Sequence, residues 1–171
     1  MSTLNERKTL VEQVAQTMGK SVYNDVEPKL KDITPRLELQ RKSPKLVTLE
    51  EAIRRSGLRD GMTISFHHHF RGGDKVVNMV VDKLAAMGFK GLHLAASSLQ
   101  DVHAPLIEHI KNGVITEIST SGLRGELARE ISHGLLEKPV VFRSHGGRGE
   151  AIATGDLHID VAFLGASSSD P

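Results

Sequence analysis

Short apolar runs alternate along this chain with segments in which apolar residues recur every three or four positions. The runs are typical of buried strands, and the longer spacing is typical of helices with one buried face. Strands are predicted at residues 62–66, 92–96, 114–118, 140–143 and 159–164. Helices are predicted at 49–56, 75–87, 105–112 and 126–133, with a further short helix that runs through residue 152.

This alternation of strands and helices predicts an α/β domain with a mainly parallel sheet and flanking helices. The apolar strands fit burial on both faces of such a sheet. Residues 1–45 have a different pattern, because Pro28, Pro35 and Pro44 stand among charged residues after one predicted helix at 4–18. We therefore expect an irregular N-terminal arm or linker over 1–45, followed by a domain over 46–171.

The most polar connection follows the first predicted strand and contains His67, His68, His69, Phe70, Arg71, Gly72 and Gly73. Asp74 is the predicted N-cap of the next helix. Free amides at a helix N-terminus, an arginine fork and protonated imidazoles are all donors to anions, and paired glycines allow close backbone approach. The loop is thus typical of a site for a compact, highly charged anion. The alternative is a solvated histidine-rich loop.

A metal site is not predicted in this loop. Successive side chains on an extended backbone point to opposite sides, so only His67 and His69 would share a face. No carboxylate or thiolate stands at the spacing that would complete a zinc site.

Small, polar or cationic residues also follow the other predicted strands. In open parallel sheets, ligands bind beyond the carboxyl ends of the strands, which lie at one edge. The candidate ligand-binding residues, besides His67, His68, His69, Arg71, Gly72 and Gly73, are Ser97, Ser98, Ser121, Gly122, Arg124, His145, Gly146, Gly147 and Arg148. Each also has an ordinary structural explanation, such as a turn cap or an ion pair. His93 lies inside a strand and is expected to be a hydrogen-bonded residue of the sheet.

Composition excludes several classes of function. The net charge is +1, from 22 Lys+Arg against 21 Asp+Glu, and only 4% of residues are aromatic, so no nucleic-acid partner is expected. The chain has no cysteine, which excludes disulfides and a thiol nucleophile. It has no apolar run long enough to span a membrane and no signal-peptide core, so we expect a cytoplasmic protein.

Four segments resemble the α subunit of bacterial citrate lyase, and the resemblance extends over nearly the whole chain. They are DGMTISFHHHFRGGDKVVNMV, HAPLIEHIKNGVIT, TSGLRGELAREISHGLL and IDVAFLG. More distantly, RGELAREISHG followed by a strand and SHGG resembles the first lobe of family I coenzyme A transferases. Those proteins share the fold of ribose-5-phosphate isomerase and glucosamine-6-phosphate deaminase, so the resemblance implies that fold for residues 46–171.

The resemblance implies a citrate:acyl carrier protein transferase. In that family the thioester of an acyl carrier subunit passes from acetyl to citrate, which gives citryl-acyl carrier protein and acetate. The carrier bears phosphoribosyl-dephospho-coenzyme A, and coenzyme A thioesters are a second candidate substrate. No cofactor bound covalently to this chain is expected. The implied partners are citrate, the β subunit and the acyl carrier γ subunit of an oligomeric complex. The cations of residues 67–71 would hold citrate carboxylates while loop amides polarise the reacting carbonyl.

One departure from the family concerns the catalytic nucleophile. Coenzyme A transferases carry a nucleophilic glutamate in a second lobe, which this chain lacks, and no glutamate here stands in a matching motif. The catalytic residue is therefore unknown and expected outside this chain. Two alternatives stay open: a catalytically incomplete module for citrate binding or complex assembly, and a relative of the sugar-phosphate isomerases and deaminases.

Overall fold

The computed structural model describes residues 13, 16, 46–67 and 74–166. Gln13 and Gln16 have helical backbone. The rest of the predicted arm, including the other residues of its helix at 4–18, and loop residues 68–73 lie outside the described residues. The chain divides into two units, Met1–Ser43 and Pro44–Pro171, and the second contains every element named below. The predicted boundary at residue 45 stays a prediction.

Helices and strands alternate through the second unit, as the sequence pattern predicts. The strands are β1 (Thr63–His67), β2 (Leu92–Ala96), β3 (Ile115–Thr120), β4 (Val141–Phe142) and β5 (Val161–Leu164). The helices are α1 (Leu49–Ser56), α2 (Val76–Ala86), α3 (Leu106–Lys111), α4 (Gly125–Ser132) and α5 (His145–Thr154), with a 3-10 turn at Asp101–His103.

The five strands form one sheet in the order β4-β3-β2-β1-β5, and every neighbouring pair is parallel. Ile64 of β1 is paired with Leu94 on one side and with Val161 on the other. The chain adds β2, β3 and β4 on one side of β1 and then returns to place β5 on the other side. The predicted mainly parallel α/β sheet is confirmed, and its order changes direction at β1. The assignment to the coenzyme A transferase fold stays a prediction.

The two faces of the sheet have separate apolar clusters. Ile64, Phe66 and Leu94 belong to the larger cluster, which includes buried residues of α1 to α4. Ala95, the residue after Leu94, belongs to a second cluster with Ala151 of α5 and with Leu157. Successive strand residues point to opposite faces, so α5 lies on the other face from α2, α3 and α4.

Two boundaries differ from prediction where they concern candidate site residues. His67 is the last residue of β1 rather than the first of a loop, since it pairs with Leu164 of β5. His145, Gly146, Gly147 and Arg148 form the first turn of α5 rather than a loop. The hydroxyl of Ser144 accepts a hydrogen bond from the Gly147 amide at 3.0 Å, and this cap outweighs the low helix propensity of paired glycines.

The predicted N-cap of α2 is also wrong by one position. The N-cap is Lys75, which makes no capping hydrogen bond with its side chain. The Asp74 carboxylate nevertheless accepts from the Val76 amide at 2.9 Å, while Asp74 itself is buried. The aspartate therefore still serves the first turn of α2, through a turn that spans two residues.

Within the described part of the chain, no helix combines the length and the apolar character that crossing a bilayer requires.

Candidate functional site

The segments with candidate residues meet at one edge of the sheet, because all five strands run in the same direction. His67 ends β1, Ser97 follows β2, Ser121 follows β3 and His145 follows β4. Adjacent strands lie roughly 4.8 Å apart, so β1 and β4 are separated by roughly 14 Å. Residues after β1, β2 and β3 are thus close enough to contact one small ligand, and residues after β4 must be brought toward them by α5.

The loops after β2 and β3 are hydrogen-bonded to each other beyond the strands, and we call residues 97–99 and 121–124 the rim. The Ser121 amide donates to the Ser97 carbonyl at 3.1 Å, and the Leu99 amide donates to the Gly122 carbonyl at 2.8 Å. The Arg124 amide in turn donates to the Leu99 carbonyl at 3.1 Å. This continued pairing holds five predicted site residues, Ser97, Ser98, Ser121, Gly122 and Arg124, in one fixed arrangement.

The rim carries one exposed cationic side chain. A Cβ atom placed on Gly122 would lie 3.8 Å from the Cβ of Ser98, so a side chain at residue 122 would fill the space that glycine leaves beside Ser98. The Arg124 side chain is exposed, and no carboxylate of the described residues pairs with it. The expected alternative for Arg124, an ion pair with a nearby carboxylate, is therefore not observed among these residues. Its guanidinium can donate two parallel hydrogen bonds to a ligand carboxylate.

The loop after β1 is described only at its two ends. His67 is exposed at the end of β1, and Asp74 is buried at the start of α2. His68, His69, Arg71, Gly72 and Gly73 lie outside the described residues, so their roles stay predictions. His67 ends the strand at which the strand order changes direction, and ligands usually bind beside such a point.

The first turn of α5 reaches across the sheet to the first two strands. Nη2 of Arg148 donates to Oγ of Ser65 in β1 at 2.8 Å and to the carbonyl of Ala95 in β2 at 3.1 Å. Burial lowers the pKa of Arg148, although a guanidinium stays charged at neutral pH. The contacts with Ser65 and Ala95 anchor α5 on the sheet. Exposed His145 stands three residues earlier, at the start of the same turn.

A row of polar side chains on the α5 side of the sheet was not predicted as a group. Nε2 of His93 lies 2.9 Å from Oγ of Ser119, and its Nδ1 lies 3.4 Å from Oγ1 of Thr63. The prediction that His93 is a hydrogen-bonded residue of the sheet is confirmed. The available signal was alternation. Thr63 and Ser65 are polar residues two positions apart in a predicted strand, and Ser119 follows Glu117 at the same spacing, one residue beyond the strand predicted at 114–118.

Burial lowers the pKa of the His93 imidazole, partly opposed by the Glu117 carboxylate and reinforced by Arg143, Lys138 and Arg148. The folded state then binds fewer protons than the unfolded state below the ordinary imidazole pKa of about 6.5. His93 therefore contributes stability above that pH, and this contribution is lost as the pH falls through it.

We expect the thermal unfolding midpoint of the wild type to fall more steeply than that of His93→Gln between about pH 7.5 and pH 5. Midpoints of both proteins, measured by circular dichroism at half-unit pH steps, check this. Parallel profiles for the two proteins would contradict the role assigned to burial.

The described residues include no group of three or more histidine, aspartate or glutamate side chains that could hold a metal ion.

Three comparisons relate the chain to known proteins. Residues 43–171 match the family model "Citrate lyase, alpha subunit (CitF)". The chain is 68% identical over 122 residues to the citrate lyase alpha chain of Escherichia coli K12, which covers 71% of this chain and 24% of that one. It is 70% identical over 123 residues to the citrate lyase alpha chain of Klebsiella pneumoniae, which covers 72% of this chain and 24% of that one.

A solved structure is similar over the same extent. It is described as the alpha subunit of citrate lyase in complex with citrate, from Streptococcus mutans. The TM-score is 0.71 and the identity is 61%, with 72% of this chain and 24% of that chain covered. This chain therefore spans about a quarter of the length of the relatives that it matches.

Proposed function

Because the chain belongs to the citrate lyase alpha subunit family, we propose that it forms the citrate-binding part of a citrate:acyl carrier protein transferase. The observation that carries this proposal is the description of the Streptococcus mutans relative, at 61% identity, as a complex with citrate. Hydroxyls, a glycine and Arg124 meet at the carboxyl edge of the sheet, and Arg124 has no carboxylate partner within the described ranges; this convergence supports the proposal. Citrate is a trianion at neutral pH. The rim has hydrogen-bond donors and no Asp or Glu residue that would repel it.

In the proposed reaction the acetyl carrier thioester is exchanged for a citryl thioester. The bond between the acetyl carbonyl carbon and the carrier sulfur breaks, and so does one carboxyl C–O bond of citrate. The citrate oxygen passes to the acetyl carbon, which leaves as acetate, and the carrier sulfur becomes bonded to the citrate carboxyl carbon. The carrier group would be phosphoribosyl-dephospho-coenzyme A on a γ subunit, and a β subunit would cleave the citryl product. The nucleophilic residue is expected in polypeptide that corresponds to the other three-quarters of the relatives.

In this proposal the residues of this chain bind and orient citrate, while other polypeptide supplies the nucleophile. Arg124 and the histidine-rich loop with Arg71 would hold carboxylates from two sides of the β1–β2–β3 edge. Amides of the same loop would stabilise negative charge as it develops on the reacting carbonyl oxygen. The rigid hydrogen bonding between the loops after β2 and β3 keeps these donors in position before the ligand arrives.

Calorimetric titration of the purified chain with citrate tests the proposal, with acetate and ribose 5-phosphate as comparison ligands. We expect selective citrate binding, weakened roughly 10- to 100-fold by Arg71→Ala because a hydrogen bond between charged groups contributes about 1.5–3 kcal/mol. Arg59→Ala is the matched control, because exposed Arg59 lies before β1 at the opposite edge of the sheet. It should bind citrate like the wild type.

Other outcomes point to the alternatives. A folded chain that binds no citrate would favour an assembly module whose site is completed by other polypeptide. Preference for ribose 5-phosphate would favour the isomerase and deaminase class. If citrate binds, turnover of acetyl thioester, assayed with the remaining subunits added, separates a transferase component from an inert binding module.

A further inference from the structure

The Ser121 hydroxyl differs from the other hydroxyls around the end of β3. Its oxygen is buried and has no hydrogen-bond partner in the part of the chain that the structure describes. By contrast, Oγ1 of Thr120 donates to the Gly122 carbonyl at 2.9 Å, and Oγ of Ser119 lies 2.9 Å from His93. Buried hydroxyls in folded proteins almost always have a partner, so an open one calls for an explanation.

The backbone around Ser121 holds this hydroxyl in place. The Ser121 amide is bonded to Ser97, and the next carbonyl, of Gly122, accepts from Leu99. These contacts fix the backbone of Ser121 within the rim, directly after the last residue of β3. With the backbone held, the hydroxyl can reach a different partner only by rotation about the Cα–Cβ bond.

We propose that the Ser121 hydroxyl donates a hydrogen bond to a carboxylate of bound citrate and thereby determines affinity for this ligand. The inference rests on the proposed function and names one atom of that site. A serine hydroxyl has one donor, which suits a carboxylate oxygen. Arg124, which pairs with none of the described carboxylates, stands three residues later in the same rim. The bond between the hydroxyl and a charged acceptor replaces the partner that the hydroxyl lacks in the unliganded chain.

Ser121→Ala separates this role from a structural one. In the unliganded protein the substitution removes a hydroxyl that makes no hydrogen bond, so we expect the thermal unfolding midpoint to stay the same or rise. In calorimetric titration we expect citrate to bind about tenfold or more weakly, since the lost bond is to a charged group. Ser121→Thr, which keeps a hydroxyl on Cβ, should recover most of the affinity.

The matched control is Ser132→Ala on the exposed end of α4, where the hydroxyl donates to the Ala128 carbonyl at 2.8 Å. It should leave citrate affinity unchanged. Wild-type affinity in Ser121→Ala would overturn the inference while leaving the proposed function intact. A lower unfolding midpoint with unchanged affinity would overturn it too, by showing that the hydroxyl has an internal partner. Failure of the folded wild-type chain to bind citrate would overturn the proposed function, and the inference with it.

Discussion

Replacing Phe66 with alanine is expected to lower the free energy of unfolding by about 3–5 kcal/mol, the usual cost of deleting a buried phenylalanine ring. Phe66 is 1% exposed in β1, and its ring stacks on Phe163 of β5 with centroids 5.4 Å apart. The substitution would leave a cavity between the two strands where the strand order changes direction. Urea unfolding, followed by circular dichroism, measures the effect.

Phe142 provides a matched control on the same sheet. It lies in the short edge strand β4 and is 59% exposed, so Phe142→Ala should cost less than about 1 kcal/mol. Similar losses for the two variants would contradict the burial assigned to Phe66. Because Phe66 precedes His67 and the histidine-rich loop, its variant should also weaken citrate binding at temperatures where it is still folded. Phe142→Ala should not.

The predictability of Phe66 illustrates what a single sequence can establish about this fold. The run from Met62 to Phe66 has apolar residues at every second position, with the small hydroxyl residues Thr63 and Ser65 between them. It is followed by a polar loop and then by a helical repeat. The burial of such a run in a parallel sheet can be predicted without knowing which strands lie beside it. The strand order, by contrast, depends on which side of β1 accepts β5, and nothing in the local pattern of Val161–Leu164 encodes that choice.

The sequence predicts where the candidate site lies on the sheet but not the contacts that its residues make. Parallel strands bring their carboxyl ends together, so Ser97, Ser121 and Arg124 could be grouped before any coordinates were known. Two features could not be predicted. The cap on Gly147 makes a glycine-rich segment helical, and Arg148 is held by Ser65, which lies 83 residues earlier. Contacts at that separation arise from the packing of α5 across the sheet and leave no mark on local sequence.

The need for glycine at residue 125 could not be predicted from the local sequence either, because it arises from contact with Asp101 in another segment. It begins α4, directly after Arg124, with a φ of +69°. A Cβ atom built there would overlap the Asp101 carboxylate and lie 3.1 Å from the Cα of Asp101. Asp101 belongs to the 3-10 turn after β2, so the absence of a side chain at residue 125 lets the segments after β2 and β3 approach.

We expect Gly125→Ala to lower the free energy of unfolding by about 2–4 kcal/mol, from the sum of left-handed backbone strain and steric overlap. Gly57→Ala is the matched control, because Gly57 has a φ of +75° but nothing within 4 Å of a built Cβ. It should cost only the backbone term of about 1–2 kcal/mol. Chemical denaturation of both variants under one set of conditions gives the difference.

The excess cost of Gly125→Ala should fall when the carboxylate is removed. In the double variant Asp101→Ala/Gly125→Ala we expect part of the loss to be recovered, since the overlap with the Asp101 side chain is gone while the contact with its Cα stays. Equal destabilisation by Gly57→Ala and Gly125→Ala would show that the two segments can separate without cost. The rim would then not be rigid, and Arg124 and Ser121 would not be held in place for an anion before it binds.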